Sequence, residues 1–196
     1  MKKLISLLLV FAMAVSVMAG CAGEGSTNET TEPAETVTGP ASALEVLENI
    51  WALYGDDEKF PVMGGNPEGG VMDVPANWDL TYAEGMINYL QLTAEDLANV
   101  DEASSMIHMM NSNIFTAYVL HLNDSTKAAD FAATAKDAIV NGQWLCGAPE
   151  KLVIADLGGN YLLIALGGND AVAPFETKLA EAYPGITPLY SEAIAG

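Results

Sequence analysis

The chain has 196 residues, enough for one well-cored domain plus a targeting segment and a linker, and it carries 26 acidic residues against seven lysines and no arginine. A net charge of −19 without a single guanidinium excludes nucleic-acid binding, which needs a cationic surface to neutralise phosphates. Two cysteines, Cys21 and Cys146, exclude a disulfide framework of the small secreted type.

Residues 1–20 read as a signal peptide. Lys2 and Lys3 supply the positive start, and an apolar run from Leu4 to Met18 follows, interrupted only by Ser6 and Ser16. That run of 15 residues falls short of the ~20 that span a bilayer as a helix. It ends in Ala19-Gly20-Cys21, which resembles a bacterial lipobox. The resemblance implies cleavage before Cys21 and a diacylglycerol thioether on its sulfur, two chains being what stable anchoring requires. Removal of residues 1–20 leaves five lysines against 26 acids, a net charge of −21. A surface so acidic is repelled by anionic lipid, so the lipid on Cys21 is the expected membrane attachment. Residues 21–40 are rich in Gly, Ser, Thr, Glu and Pro and read as a tether. As a flexible coil its nineteen residues after Cys21 reach roughly 25 Å.

Residues 41–196 are expected to form one α+β domain. Ser42 with Glu45 reads as a capping box opening a helix with Leu44, Leu47, Ile50, Trp51 and Tyr54 on one face. Asp56 to Asp79 reads as a long irregular segment centred on the glycines 64, 65, 69 and 70. Two short helices should follow, capped by Thr81 with Glu84 and by Thr93 with Asp96. From Ala103 the pattern predicts a strand over Met106–Met110, a turn at 111–113, a strand over Ile114–Leu122 and a helix to about Asn141. The order then repeats, with strands over Leu152–Leu157 and Tyr161–Leu166 around a Gly158-Gly159-Asn160 turn, and a helix opened by Asn169-Asp170. A ββα–ββα duplication making one four-stranded antiparallel sheet, with helices on one face and the early helices at an edge or end, is the expected architecture.

The glycine-rich segment lacks the Gly-Lys-Ser/Thr of a phosphate loop and reads as a flexible surface loop. Asp56-Asp57-Glu58 lacks the ligand spacing of a calcium loop and reads as a solvated charge run. The two histidines, His108 and His121, sit in predicted strands without zinc-ligand spacing. His108 is a functional candidate if its sheet face is open, and a core histidine if it is covered; His121 is expected exposed or structural. Cys146 lies in Gln143-Trp144-Leu145-Cys146-Gly147-Ala148-Pro149, which faintly resembles the thioredoxin Trp-Cys-Gly-Pro-Cys loop but has no resolving cysteine. Its apolar neighbours Trp144 and Leu145 predict a buried, inert thiol. A nucleophile pair of Cys146 with His108 is the alternative. Lys151, at a predicted strand start, is expected to be solvated.

The segments from Asp101 through His108, Met109, Met110 and Asn111 to Thr116, from Gln143 to Ile154, and Phe60-Pro61-Val62-Met63-Gly64-Gly65 are similar to small exported lipoproteins of gut-dwelling Gram-positive anaerobes, often labelled bacteriocin transport accessory proteins. The resemblance implies membership of an exported lipoprotein family. The anchor, the spacer, the acidic domain and the lack of an assembled catalytic set point to a membrane-tethered, extracytoplasmic binding or accessory protein without a cofactor. Its partner, an envelope protein or peptide, is expected to meet the open sheet face or the glycine-rich loop at 64–70. Within the matched segments His108, Asn111, Asn113, Thr116 and Trp144 are the binding candidates. A thiol-dependent enzyme using Cys146, and a small-ligand or cation binder using the acids of 56–79, are the rival readings.

Overall fold

The computed structural model describes residues 39–112, 114–145 and 147–194. The chain divides into two units, Met1–Glu35 and Thr36–Gly196, and every described residue lies in the second. The expected leader, Cys21 and most of the tether therefore fall outside the described residues, as do Asn113 and Cys146. Among the described residues no helix is long and apolar enough to cross a membrane.

The helix α1 (Ala43–Ala52) begins as the capping box predicts. Ser42 Oγ accepts the Glu45 amide at 3.1 Å, while the Glu45 carboxylate accepts the amide of Ala41 at 2.9 Å. The segment expected to be irregular instead holds three short strands, β1 (Val62–Gly64), β2 (Val71–Met72) and β3 (Ala76–Asn77). The glycine-rich segment is thus folded rather than a flexible loop. Gly64 passes so close to β3 that a Cβ there would lie 2.2 Å from the Ala76 nitrogen. Asn66 brackets Asp79 with both side-chain amide atoms, at 2.6 and 3.1 Å.

α2 (Ala83–Leu90) follows, without the expected Thr81 cap: Thr81 gives its amide and hydroxyl hydrogens to Asp79. The Thr93–Asp96 pair does form, each side chain accepting the other's amide at the start of a single 3₁₀ turn.

The strands β4 (Val100–His108), β5 (Phe115–Leu122), β6 (Lys151–Asp156) and β7 (Tyr161–Gly167), with helices α3 (Ala128–Val140) and α4 (Asn169–Ala182), give the ββα–ββα order. A last strand, β8 (Tyr190–Ala193), lies beyond the predicted elements. All eight strands join one antiparallel sheet, in the order β2-β1-β4-β5-β7-β6-β8 with β3 also on β4. The architecture is α+β, and the sheet is twice the size of the four-stranded one expected.

The helices also differ from expectation, because they cover both faces. Tyr118, Leu120, Leu152, Ile154, Leu162 and Ile164 pack under α2 and α3. Val119, Val153, Ala155, Leu163 and Ala165 pack under α1 and α4. The handedness of crossover connections accounts for this. The connections β5–α3–β6 and β7–α4–β8 each pass over one strand in the same lateral direction, yet β5 and β7 are antiparallel. Crossovers of one hand that start from oppositely directed strands must lie on opposite faces. The early helices cover faces too, not an edge.

Because the strands run straight through, the sheet has two poles. At one, Val100, Leu122 and Tyr161 sit beside the Gly158–Asn160 turn. The described chain starts here: Gly39 lies so near this turn that a Cβ on it would be 2.6 Å from the Gly158 oxygen. Glu102 accepts the Ala43 amide at 2.8 Å and the Tyr161 hydroxyl at 3.1 Å. Desolvation first, and then Glu102, pushes the Tyr161 phenol up to about 12, so it stays a donor at neutral pH. His121 forms its pair with Asp101 at the same pole. At the other pole lie His108, Phe115, Lys151 and Gly167.

Two-sided burial makes β7 the most demanding strand, since all seven of its residues are buried. Leu163→Ala is expected to cost about 2–5 kcal/mol through lost burial and cavity formation, measured as a shift of the urea midpoint. A loss below 0.5 kcal/mol would contradict the packing described.

Candidate functional site

The second pole gathers most of the sequence candidates that are described. β4 ends at His108, and the chain turns back through Met109, Met110, Asn111 and Ser112 into β5. β1 pairs with this end in antiparallel register, Val62 opposite His108 and Met63 opposite Ile107. The result is a cleft of about 230 Å³ lined by Met63, Tyr89, Ile107, His108, Met109, Met110, Asn111 and Ser112. A larger, more open depression of about 550 Å³ adjoins it. Asn111 belongs to both, and Ile114, Ala148, Glu150, Gly168, Asn169 and Asp170 complete the second. Next to its lining residue Gly168, Gly167 has a φ of +147° and approaches Ile114 so closely that a Cβ would be 2.2 Å from the Ile114 oxygen.

His108 is not on an open face, because α1 and α4 cover the side to which it points. It is half-buried at the strand end, its ring stacked on Phe60 with centroids 5.7 Å apart. Phe60 in turn meets Trp51, Tyr54 and Phe115 edge-on, so the imidazole ends an aromatic chain running from α1. Nδ1 accepts the Met110 amide at 3.1 Å. Burial pushes the imidazole below its ordinary value, so the ring is neutral at pH 7. A neutral ring whose Nδ1 accepts an N–H carries its proton on Nε2 and presents a donor, not the free lone pair that thiol activation requires.

The other candidates have structural work. Thr116 is buried, and its hydroxyl donates to the Ser112 carbonyl at 3.0 Å, stapling the turn. Trp144 is half-buried against the core beneath α3 and donates Nε1–H to the Ile139 carbonyl at 3.1 Å. Leu145, expected to help bury the thiol beside it, is instead 99% exposed. Lys151 is not solvated: its ammonium lies 2.9 Å from Glu176 and 3.3 Å from the Ser191 hydroxyl. Glu58 is likewise engaged, accepting the Gly55 amide at 2.8 Å and facing Lys178 at 3.4 Å. The Gly55 amide, and then Lys178, holds its carboxyl below the usual range. Among the described residues no group of three or more His, Cys, Asp or Glu side chains could hold a metal ion.

Sequence reasoning missed Met63 and Glu150 as site residues. Met63 joins the cleft only through the β1–β4 register, and Glu150, just before β6, through its amide's bond to the Gly167 carbonyl at 2.8 Å. Met109, Met110, Ile114 and Leu145, all in the turns of this pole, are 42%, 81%, 38% and 99% exposed, a property the sequence does not carry.

Compared with protein-family models, curated proteins and solved structures, the chain matches none of them.

A pH dependence follows from His108. Its folded value lies below the unfolded one of about 6.5, so the unfolded chain binds the proton more readily. The stability it contributes is complete above that value and is lost as pH falls towards the folded value. In His108→Gln the loss of Tm between pH 7 and pH 5 should be smaller than in the parent chain. Equal losses would show that the ring does not titrate in this setting.

Proposed function

We propose that the protein is an extracytoplasmic lipoprotein, held at the membrane through a lipid on Cys21, that binds its partner without transforming it. Its binding surface is the groove pole, and the service we assign it is accessory to a bacteriocin or peptide export system. The observation that carries the reading is the set of unburied hydrophobics at one pole. Both sheet faces are covered by helices. Of the exposed large hydrophobics, Met109, Met110, Ile114 and Leu145 lie in the turns of one pole around a pair of adjoining clefts, while Val71, Met72, Val74, Tyr82, Val140 and Leu189 line neither cleft. Methionine is suited to such a surface, because its unbranched, polarizable side chain adapts to varied partners. The capped tether of Ala19-Gly20-Cys21 and residues 21–40 supports the anchoring half of the reading. The matching order of hairpin and helix in the two ββα units supports an internal duplication as its origin.

Two experiments test these halves separately. Replacing Cys21 by alanine should abolish lipid labelling and release the protein from the membrane fraction, or leave it unprocessed; labelling at the wild-type level sinks the anchor. A photoreactive side chain at Met110 should trap one discrete adduct in intact envelopes, while the same group at Leu189, an exposed hydrophobic just before β8, should trap none. Cys146→Ser should leave the Met110 adduct unchanged. Loss of the adduct in that variant would favour thiol chemistry over simple binding.

A further inference from the structure

Resting on that reading of the groove pole, we infer that its ligand is a cationic amphipathic peptide segment, with an apolar side chain in the methionine cleft and a lysine or arginine beside Glu150 and Asp170. The two depressions meet at Asn111 and differ in chemistry. One carries Met63, Met109 and Met110 beside the polar His108, Asn111 and Ser112. The other holds the carboxylates of Glu150 and Asp170.

The sign of the ligand's charge follows from what already occupies the start of α4. A helix N-terminus ordinarily favours an anion. Here the Asn169 amide donates to the Glu150 carboxylate at 3.0 Å, and Asp170 stands in the first turn. Two carboxylates of the chain itself hold that position, so an incoming anion meets net repulsion. Among the described residues each lysine has a partner, Lys151 at this same pole included. Lys151 pairs with Glu176, Lys178 with Glu58 and Lys127 with Asp124. Lys59 lies over the Trp51 ring, and Lys136 lies near Glu192 and Tyr190. Neither depression is lined by a lysine.

The same charge excludes a second copy of this chain, whose acidic surface would oppose association. A small amine would engage Glu150 and Asp170 but leave the methionine cleft empty. Depressions of about 230 and 550 Å³ side by side suit two or three consecutive side chains of an extended segment. The net charge, −21 once residues 1–20 are removed, adds long-range steering, which speeds encounter with a cation and weakens with salt.

The test uses the full lipidated chain in neutral phosphatidylcholine nanodiscs, with empty nanodiscs subtracted, and calorimetry with three synthetic peptides of equal length. One combines leucine with lysine, the second has glutamate in place of lysine, and the third has serine in place of leucine. The leucine–lysine peptide should bind, the glutamate peptide should not, and the serine peptide should bind at least tenfold more weakly. Glu150→Gln with Asp170→Asn should weaken the first peptide at least fivefold. The equal charge change at exposed Glu48 and Glu181, made as Glu48→Gln with Glu181→Gln, should alter it less than twofold. Equal weakening by both pairs would show diffuse attraction and overturn the inference. So would binding of the glutamate peptide, or no binding of the leucine–lysine peptide. If the peptide fails while the Met110 adduct persists, the ligand class falls and the binding surface stands; if both fail, both fall.

Discussion

Four strands that must be dry on both faces set the terms for the rest of the molecule. β5, β7 and β6 read as near-continuous apolar runs because each side of the sheet meets a helical layer, while β4 mixes Ala103, Met106 and Ile107 with Asp101, Glu102, Ser104 and Ser105. Burying both faces forces α3 and α4 to opposite sides, and α1 and α2 to complete the two layers. The polar groups inside differ. Among the described residues, Ser104 Oγ and the Tyr54 and Tyr118 hydroxyls have no hydrogen-bond partner, whereas Thr116 and Ser105 are used locally. Ser105 Oγ, fully buried, takes the Gly65 amide at 3.0 Å and so fixes β1 and its glycines against β4.

Covering both faces leaves only edges and poles for function. The edges are exposed but short, two residues in β2 and four in β8, and offer little ladder to a partner. The poles are unlike each other. One receives the chain from its N-terminal side and is drawn together by Glu102, Tyr161 and the His121–Asp101 pair. The other carries turns that expose methionine, isoleucine and leucine around two depressions. Aromatic stacking from Trp51 through Phe60 to His108 ties the second pole to α1, so the cleft wall is part of the core rather than a loose loop.

Much of this framework was legible in the sequence. The capping residues Ser42 and Glu45, the uninterrupted runs of β5, β6 and β7, and Asp124 at the turn before α3 carry local signals that the folded chain keeps. Asn169 and Asp170, expected to cap α4, lie inside its first turn behind Gly168. The side on which each helix packs carries no local signal, because it depends on strand direction and crossover hand together. The strands β1, β2 and β3 are two or three residues long, too short for a period to show, and lie among glycines that read equally as loop. β8 hides for another reason: its Ser191 and Glu192 are exposed edge residues without apolar alternation. At the site, His108 and Asn111 stand out as polar residues between strands. Met63 is brought to them only by pairing across the sheet, 44 residues from Ile107 in the chain. The Lys151–Glu176 pair was hidden likewise, since it joins β6 to α4.

The position of Gly39 against the Gly158–Gly159 turn has a mechanical consequence. Strands β4, β5, β6 and β7 run from that turn to the His108 end. A load applied through the N-terminal side of the chain and resisted by a molecule held at the far end pulls along the strand axes. Hydrogen bonds of the ladders are then strained together, in shear, rather than opened one after another from a free end. The sheet can therefore transmit tension between its two ends while the pairings that shape the groove remain intact.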